Sequence, residues 1–316
     1  VSELFIPTDH QHVQIKPGQR TGLPVMIGVH STLLGPAIGG LRIKPYARGA
    51  DAVADVLRLS QAMTVKAAAI DNGTGGGKAV VPLPVGSNLS ASLKDAILLD
   101  VADQVHALGG IYHVGPDVGS GESDMDAIRR RTPYVGGFSK RAGGAGGTTY
   151  GTYIGLDAAI RTAVRQVLNA DSLQGLHVSV VGLGGIGTLI ARAYAAEGAR
   201  LTVSDIDETR RPLADEIGAA WVSPEEAMTV RCDVLAPCAL GGVLTREIVP
   251  RLTARVICGA ANNQLATEDI ADALRSRETV YVPDFIANAG GLMYASGIEL
   301  HHARPTHPTP IPVQPW

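Results

Sequence analysis

The run Leu176-His177-Val178-Ser179-Val180-Val181 has the length and apolar character of a buried strand, and it ends directly on Gly182-Leu183-Gly184-Gly185-Ile186-Gly187. Leu189 to Ala196 then continues with helical spacing. This is G-x-G-x-x-G in the strand–turn–helix setting that gives the pattern its meaning. Gly182 would make the tight turn, Gly184 would admit a pyrophosphate against backbone amides, and Gly187 would let helix and strand pack closely. A second strand, Arg200 to Ser204, ends at Asp205, eighteen positions beyond Gly187, close to the spacing of about 20 expected of a ribose-binding acid. A carboxylate there accepts from both ribose hydroxyls and repels a 2′-phosphate, so NAD is expected rather than NADP. Ile206 and Ala239 join the expected cofactor-binding set. Arg210 and Arg211 lie nearby and would soften that preference, although the first turn of a following helix is simply solvated. Strand patterns at Asp233–Ala236, Arg255–Cys258 and Val280–Val282 alternate with helical stretches, which predicts a doubly wound α/β sheet.

At 316 residues the chain exceeds what one core usually organises, so a second α/β domain and a cleft between the two are expected. Arg141 to Thr148 holds four glycines and no apolar periodicity, as an interdomain crossing would. The expected organisation is a substrate domain over 1–140, a Rossmann-type dinucleotide domain over 141–295, and a proline-rich extended tail over 296–316.

The first domain carries its own chemistry. Three glycines stand before Lys78 in Asn72-Gly73-Thr74-Gly75-Gly76-Gly77-Lys78, and Lys66 lies twelve positions upstream in Met63-Thr64-Val65-Lys66-Ala67-Ala68-Ala69-Ile70. A lysine among small apolar residues must reach water, pair with an anion, or lose its proton. Taken singly, a solvated Lys66 and a chain-reversing glycine turn would suffice, but the two together suit a site. A phosphate-gripping P-loop is excluded, because that motif requires glycine where Asn72 stands and Ser or Thr where Ala79 stands. The glycines are expected to let backbone crowd against a small ligand or cofactor while aiming Lys78 inward. Lys66 is expected directly after a helix that opens at Asp51. Downstream, a strand over Gly110–Val114 leads to Gly115-Pro116-Asp117, placing an acid at a strand's C-terminal end, where open α/β sheets collect ligands. The other role for such an aspartate is an Asx turn capping its own backbone.

Charge and cysteine content narrow the partners. With 27 basic and 30 acidic side chains and no basic block, nothing favours nucleic acid or an anionic membrane. Cys232, Cys238 and Cys258 are odd in number and lack metal-ligand spacing, so buried free thiols are expected rather than a disulfide framework or a metal site. A cytoplasmic location is the expectation.

Together these features resemble the glutamate/leucine/phenylalanine/valine dehydrogenase family. The likeness runs from about Val25 to Ala295 and rests on seven ordered blocks. They are Leu34-Gly35-Pro36-Ala37-Ile38-Gly39-Gly40, Met63-Thr64-Val65-Lys66, Gly75-Gly76-Gly77-Lys78, Gly115-Pro116-Asp117-Val118, Ala236-Pro237-Cys238-Ala239-Leu240-Gly241-Gly242, Gly259-Ala260-Ala261-Asn262-Asn263 and Asn288-Ala289-Gly290-Gly291. The resemblance implies that Lys66, helped by the Gly40 backbone, binds the substrate α-carboxylate. It implies that Lys78 activates the water attacking an imino acid and that Asp117 shuttles the amino-group proton. Thr148 would touch the nicotinamide carboxamide, and Asn262 and Asn288 would serve nicotinamide and substrate. Ile38, where glutamate-specific members carry lysine, implies an apolar amino acid, with Met63, Gly115, Leu292 and Ala295 also in the substrate set. Gly115 removes bulk beside the acid as in phenylalanine-type members, which favours an aromatic or large aliphatic side chain.

Chemistry agrees with this implication: amine oxidation needs a hydride acceptor, a neutral amine and a base near neutrality. A charged Lys66 beside a Lys78 depressed by that cation and by burial would divide the roles. The expected partners are an amino acid, its 2-oxo acid and further copies of this chain in a homo-oligomer. The competing reading is a nucleotide-binding scaffold that keeps the fold without turnover, but a scaffold has no need for Lys66, Lys78 and Asp117 together. The family pattern continues with helices after Asn288-Ala289-Gly290-Gly291, whereas this sequence runs into five prolines between Pro305 and Pro315, which exclude a helix there.

Overall fold

The computed structural model describes residues 9–299; the proline-rich segment expected to be extended lies almost wholly outside them. Contacts group the chain into two compact units, one ending at Thr148 and resuming at Met293, the other Thr149–Leu292.

The first unit is built on a five-stranded sheet. Its strands are β1 (His12–Pro17), β2 (Pro24–Ser31), β3 (Ala37–Pro45), β4 (Gly75–Leu83) and β5 (Tyr112–Pro116), in the order β1-β2-β4-β3-β5. β4 runs antiparallel to β2 and parallel to β3, which in turn pairs parallel with β5. Helix α1 (Gly49–Ala69) covers one face, where Ala52 and Val56 pack on Met26 and Val80. On the other face α2 (Ala91–Ala107) and α3 (Glu122–Arg129) enclose a core that includes Ile27, Leu41, Ile97, Val101, Tyr112 and Met125. Ser90 caps α2, its hydroxyl accepting from Leu93 N at 3.2 Å. Buried Asp100 of α2 ties down the β1–β2 connection. Its carboxylate accepts from Arg20 N and Thr21 N, each at 3.0 Å, from Arg20 Nη1 at 2.9 Å and from Thr21 Oγ1 at 2.8 Å.

Two local expectations are corrected and one alternative is set aside. Lys66 does not follow the helix but lies inside it, because Ala67–Ala69 are strong helix formers and no breaker intervenes until Asp71, at φ 47°, and Gly73, at φ 69°. Gly75–Gly77 do not form a turn; they open β4. They crowd against protein: a Cβ at Gly76 would fall 2.0 Å from Thr64 N and 2.6 Å from Ser60 O, both on α1. One at Gly77 would fall 2.6 Å from the Tyr112 ring. Finally, the strand before Asp117 starts at Tyr112 and not at Gly110, because Gly109 and Gly110 hold φ of 62° and 94°, outside the extended region. Gly115 and Pro116 therefore close β5 instead of forming a turn, and the turn begins at Asp117, whose carbonyl accepts from Ser120 N at 2.9 Å.

The second unit opens with α4 (Thr149–Leu168). It then alternates β6 (His177–Val181), α5 (Gly185–Ala196), β7 (Arg200–Ser204), α6 (Arg211–Ile217), β8 (Ala220–Trp221), α7 (Pro224–Thr229), β9 (Val234–Pro237), β10 (Val256–Ile257), α8 (Ile270–Arg275) and β11 (Val280–Tyr281). Short α9 (Asp284–Ala287) follows, and α10 (Gly290–Glu299) runs across the boundary of the two units. The sheet is parallel throughout, in the order β11-β10-β9-β6-β7-β8. From the other edge this is the doubly wound 3-2-1-4-5-6 order, and the topology reverses between β6 and β9. One buried cluster joins Val178, Val180 and Val203 to Ile160, Ile190 and Tyr194 on one face. Leu235 and Ile257 pack against Met228, Ile270 and Leu274 on the other. Burial on both faces explains why these strands read as continuous apolar runs. Cys232 and Cys258 are buried free thiols and Cys238 is partly buried. No helix among the described residues is long and apolar enough to cross a membrane.

Candidate active site

Strand alternation builds the site of the first unit. Register aligns Ile38 with Gly76 and Gly40 with Gly115. Period two therefore sets Ile38, Gly40 and Arg42 of β3, Gly76 and Lys78 of β4, and Gly115 of β5 on the face that α1 covers. Lys78 is buried, its side chain only 7 % exposed, and its Nζ lies 2.8 Å from Asp117 Oδ2. Asp117 can come this close because Gly40 has no side chain: a Cβ there would meet the Asp117 Cβ at 2.6 Å. Ser120 fixes the turn, its Oγ accepting from Asp117 N at 3.0 Å and donating to Leu41 O at 2.7 Å. The Asp117 carboxylate thus meets cations rather than capping its own backbone. Around Gly115 there is room, since a Cβ would meet nothing closer than Gly136 O at 3.7 Å. Ile38, Met63 and Lys66 are each partly buried.

Two residues that sequence reasoning missed complete the cluster. Arg42 Nε donates to the same Asp117 Oδ2 at 2.8 Å, and Arg42 Nη1 donates to Asp55 Oδ2 of α1 at 3.1 Å. Tyr46 Oη donates to Asp55 Oδ2 at 2.7 Å and Arg58 Nη2 to Asp55 Oδ1 at 2.9 Å. The available signal was Arg42 standing two residues after Gly40, on the same strand face; nothing local marks Asp55.

These contacts set the charges. Burial pulls the Lys78 ammonium below its ordinary value; Asp117 opposes this, while Arg42 pulls the same way as burial. Arg42 is thus a cation that acts on Lys78. Burial pushes the Asp117 carboxyl up, but Lys78 and Arg42 outweigh it and hold the group below the usual carboxylate range. For Asp55 burial likewise acts upward, and hydrogen bonds from Arg58, Tyr46 and Arg42 bring it down to about 2. The arrangement is a partly desolvated amine able to shed its proton beside an ionised acid.

The second unit holds a cradle at its topological switch point, where β6 and β9 lie side by side. Gly182 takes φ 102°, and a Cβ there would strike Ala239 at 2.6 Å. Gly187 backs onto Gly182, with a Cβ falling 1.9 Å from its carbonyl oxygen. Gly184 is the N-cap of α5, and a Cβ there would meet nothing within 4 Å. Asp205 follows β7 directly; its Oδ2 accepts from Leu183 N at 2.7 Å, so the acid is oriented by the glycine turn itself. Ile206 beside it is 87 % exposed. Asn288 is buried and donates Nδ2 to Asn262 Oδ1 at 2.9 Å and to Ala260 O at 3.1 Å. Its Oδ1 has no hydrogen-bond partner among the described residues. Asp284 holds the asparagine loop, its Oδ2 accepting from Asn263 N at 2.7 Å. Leu292 ends this unit, while Thr148 and Ala295 belong to the first. The open backbone at Gly184, the acid at the end of β7 and the orphaned buried amide oxygen all fit a dinucleotide. Among the described residues no group of three or more potential ligands could hold a metal.

A buried lysine–aspartate pair on one α/β unit and a glycine turn of dinucleotide-binding type on a doubly wound second unit fit the class of dehydrogenases. Comparison with known proteins makes this specific. Residues 8–134 match the model described as Glu/Leu/Phe/Val dehydrogenase, dimerisation domain, and residues 202–305 match that of glutamate/leucine/phenylalanine/valine dehydrogenase. The chain is 36 % identical over 286 residues to leucine dehydrogenase of Geobacillus stearothermophilus, covering 90 % of this chain and 77 % of that one. It is 38 % identical over 288 residues to valine dehydrogenase of Streptomyces virginiae, covering 90 % and 79 %. The crystal structure of L-tryptophan dehydrogenase from Nostoc punctiforme superposes with a TM-score of 0.73 at 34 % identity, covering 92 % of this chain and 83 % of that one. The chain belongs to the glutamate/leucine/phenylalanine/valine dehydrogenase family, and it is an oxidoreductase of amino acids.

Proposed function

We propose that this protein catalyses the reversible oxidative deamination of an apolar L-amino acid to its 2-oxo acid and ammonia, with NAD as the cofactor. The observation that carries the reading is the buried Lys78, its Nζ 2.8 Å from Asp117. When bound, the nicotinamide supplies the hydride acceptor. Lys66 of α1 holds the substrate carboxylate, helped by the Gly40 backbone. Asp117 takes the proton of the substrate ammonium, leaving the neutral amine that can be oxidised. Neutral Lys78 then draws a proton from the water that adds to the imino carbon, and returns it as ammonia departs. Ile38 offers no cation to a side-chain carboxylate, and Gly115 leaves space, with Met63, Leu292 and Ala295 completing an apolar substrate set; aromatic and large aliphatic side chains suit it best.

In the cofactor set, Gly182, Gly184 and Gly187 shape the turn, Asp205 takes the ribose hydroxyls, and Ile206 and Ala239 flank it. Thr148, Asn262 and Asn288 serve the nicotinamide end, the unpartnered Asn288 Oδ1 supplying an acceptor. Asp205 supports NAD over NADP, since its charge opposes a 2′-phosphate. The first unit, 1–140 in the sequence reading, acts as substrate domain and 141–295 as cofactor domain. A homo-oligomer is supported by the dimerisation-domain match over residues 8–134.

The test is NAD reduction across leucine, valine, phenylalanine, tryptophan and glutamate. Turnover on the apolar members and not on glutamate supports the reading, and preference for glutamate overturns the specificity. NAD binding without turnover on any of them would favour a scaffold, a reading with no use for a buried Lys78–Asp117 pair.

A further inference from the structure

We infer that Arg42 is the positioning residue of the lysine–aspartate pair, holding Asp117 with Nε and Asp55 with Nη1 so that Asp117 stays paired when Lys78 gives up its proton. The inference rests on the dehydrogenase reading above and adds to it a residue, with its anchor, that governs the proton chemistry.

The geometry is that of a strut. Arg42 rises from β3 between an acid that follows β5 and an acid on α1, reaching Asp117 Oδ2 at 2.8 Å and Asp55 Oδ2 at 3.1 Å. Its side chain is only 13 % exposed, so both contacts are largely shielded from water. The far anchor is itself ordered: Asp55 accepts from Tyr46 Oη and Arg58 Nη2, and Lys44 Nζ lies 3.7 Å away. A guanidinium is planar, forked and permanently charged, which suits it to bridge two carboxylates at fixed angles.

Charge counting gives the bridge its purpose. Were Lys78 the sole partner of Asp117, neutralising it would strand a buried carboxylate, and the lysine would keep its proton instead. With Arg42 on the same oxygen, the carboxylate remains compensated in either state of Lys78. The groups facing the pair are Arg42 from β3, Asp55 from α1 and the Ser120 hydroxyl; Tyr112 of β5, on the opposite face of the sheet, feels the Asp117 charge while its own hydroxyl donates to Gly39 O at 2.7 Å. α1 also carries Arg58 and Lys66. Among these, Arg42 favours neutral Lys78 and Asp55 favours its charged form. Their removal should therefore displace the Lys78 titration in opposite directions, which a merely structural role would not do.

The experiment compares pH profiles of kcat and kcat/KM for wild type, Arg42→Gln, Arg42→Lys and Asp55→Asn on the best apolar substrate. It is paired with the pH dependence of Lys78 methylation by formaldehyde and a borohydride, read by peptide mass spectrometry, which needs no turnover. Activity rises as Lys78 loses its proton, so Arg42→Gln should move that midpoint up by about one pH unit. It should lower kcat about 10- to 100-fold while leaving KM nearly unchanged. Asp55→Asn should move the midpoint down. Arg42→Lys should restore the midpoint but not kcat, since one ammonium cannot span both acids. Coincident midpoints for wild type and Arg42→Gln, or equal-signed shifts in Arg42→Gln and Asp55→Asn, would overturn the inference. If Arg42→Gln does not fold, an Asp55→Asn midpoint that fails to fall overturns it instead. Absence of wild-type turnover would reject the dehydrogenase reading, while the methylation midpoints still decide the role of Arg42.

Discussion

Lys78 Nζ and Asp117 Oδ2 stand 2.8 Å apart, one on the central strand β4 and the other just past the edge strand β5, with only β3 between the two strands. The contact spans that strand because β3 carries Gly40 where any larger residue would collide with Asp117. Backbone shape thus delivers an acid to an amine that burial has already inclined toward neutrality.

Replacing Asp117 by Asn keeps the shape of this contact and removes its charge. Turnover should fall by about 10²–10⁴-fold, the range of a lost acid–base group. Asp117 raises the Lys78 value in the intact protein, so the Lys78 midpoint should move to lower pH. Steady-state rates and lysine methylation across pH check both.

Two glycines should fail in different ways. Gly76→Ala sets a Cβ against the α1 backbone at 2.0 Å and should cost about 3 kcal/mol of stability. Gly184→Ala meets no atom of the chain within 4 Å, so thermal melting should be unchanged while NAD affinity falls about tenfold or more, some 1.4 kcal/mol. Melting curves and NAD titration separate the two outcomes.

Asp205→Ser should reduce the ratio of kcat/KM with NAD to that with NADP by about tenfold, because the charge opposing a 2′-phosphate is gone. An unchanged ratio would remove Asp205 from the specificity argument. The same variant gives up the acceptor of Leu183 N, so a small loss of thermal stability should accompany it.

Acid sensitivity should centre in part on Asp100. Burial raises its carboxyl value, and hydrogen bonds from Thr21 and Arg20 lower it by more, so it is depressed in the fold. A depressed acid contributes its full stability above its unfolded value of about 3.9 and loses it as pH falls through the folded value. Asp100→Asn should therefore destabilise the protein by about 2–3 kcal/mol at neutral pH. The gap from wild type should close as pH drops below about 3.9. Denaturant melts at a series of pH values measure this directly.

What the sequence made legible was whatever local geometry encodes. The fingerprint around Gly182 prescribes strand, turn and helix within one short span, and Asp205 falls at the next strand's end. Two-residue strands such as β8, β10 and β11 have little period to read, and their bounds follow from neighbours. Whether the glycines before Lys78 form a turn or a strand is not written locally, since glycine permits both; pairing with β2 and β3 extends them, and α1 lies close against them. Nothing local marks Asp55, and the position of Arg42 two residues after Gly40 gives its strand face but not its partners, because their meeting depends on how β3, β5 and α1 are registered, a property no single segment carries. Lys78 and Asp117 stand out from their local settings and take their roles from the family likeness; their pairing distance comes from the fold.

The most direct test of the account is kcat/KM across pH for Lys78→Met on an apolar L-amino acid, with folding and NAD binding verified. The account predicts a fall of about 10²–10⁴-fold, loss of the pH-dependent rise that marks Lys78 deprotonation, and partial recovery on adding a small primary amine. Turnover and pH profile indistinguishable from wild type would contradict it.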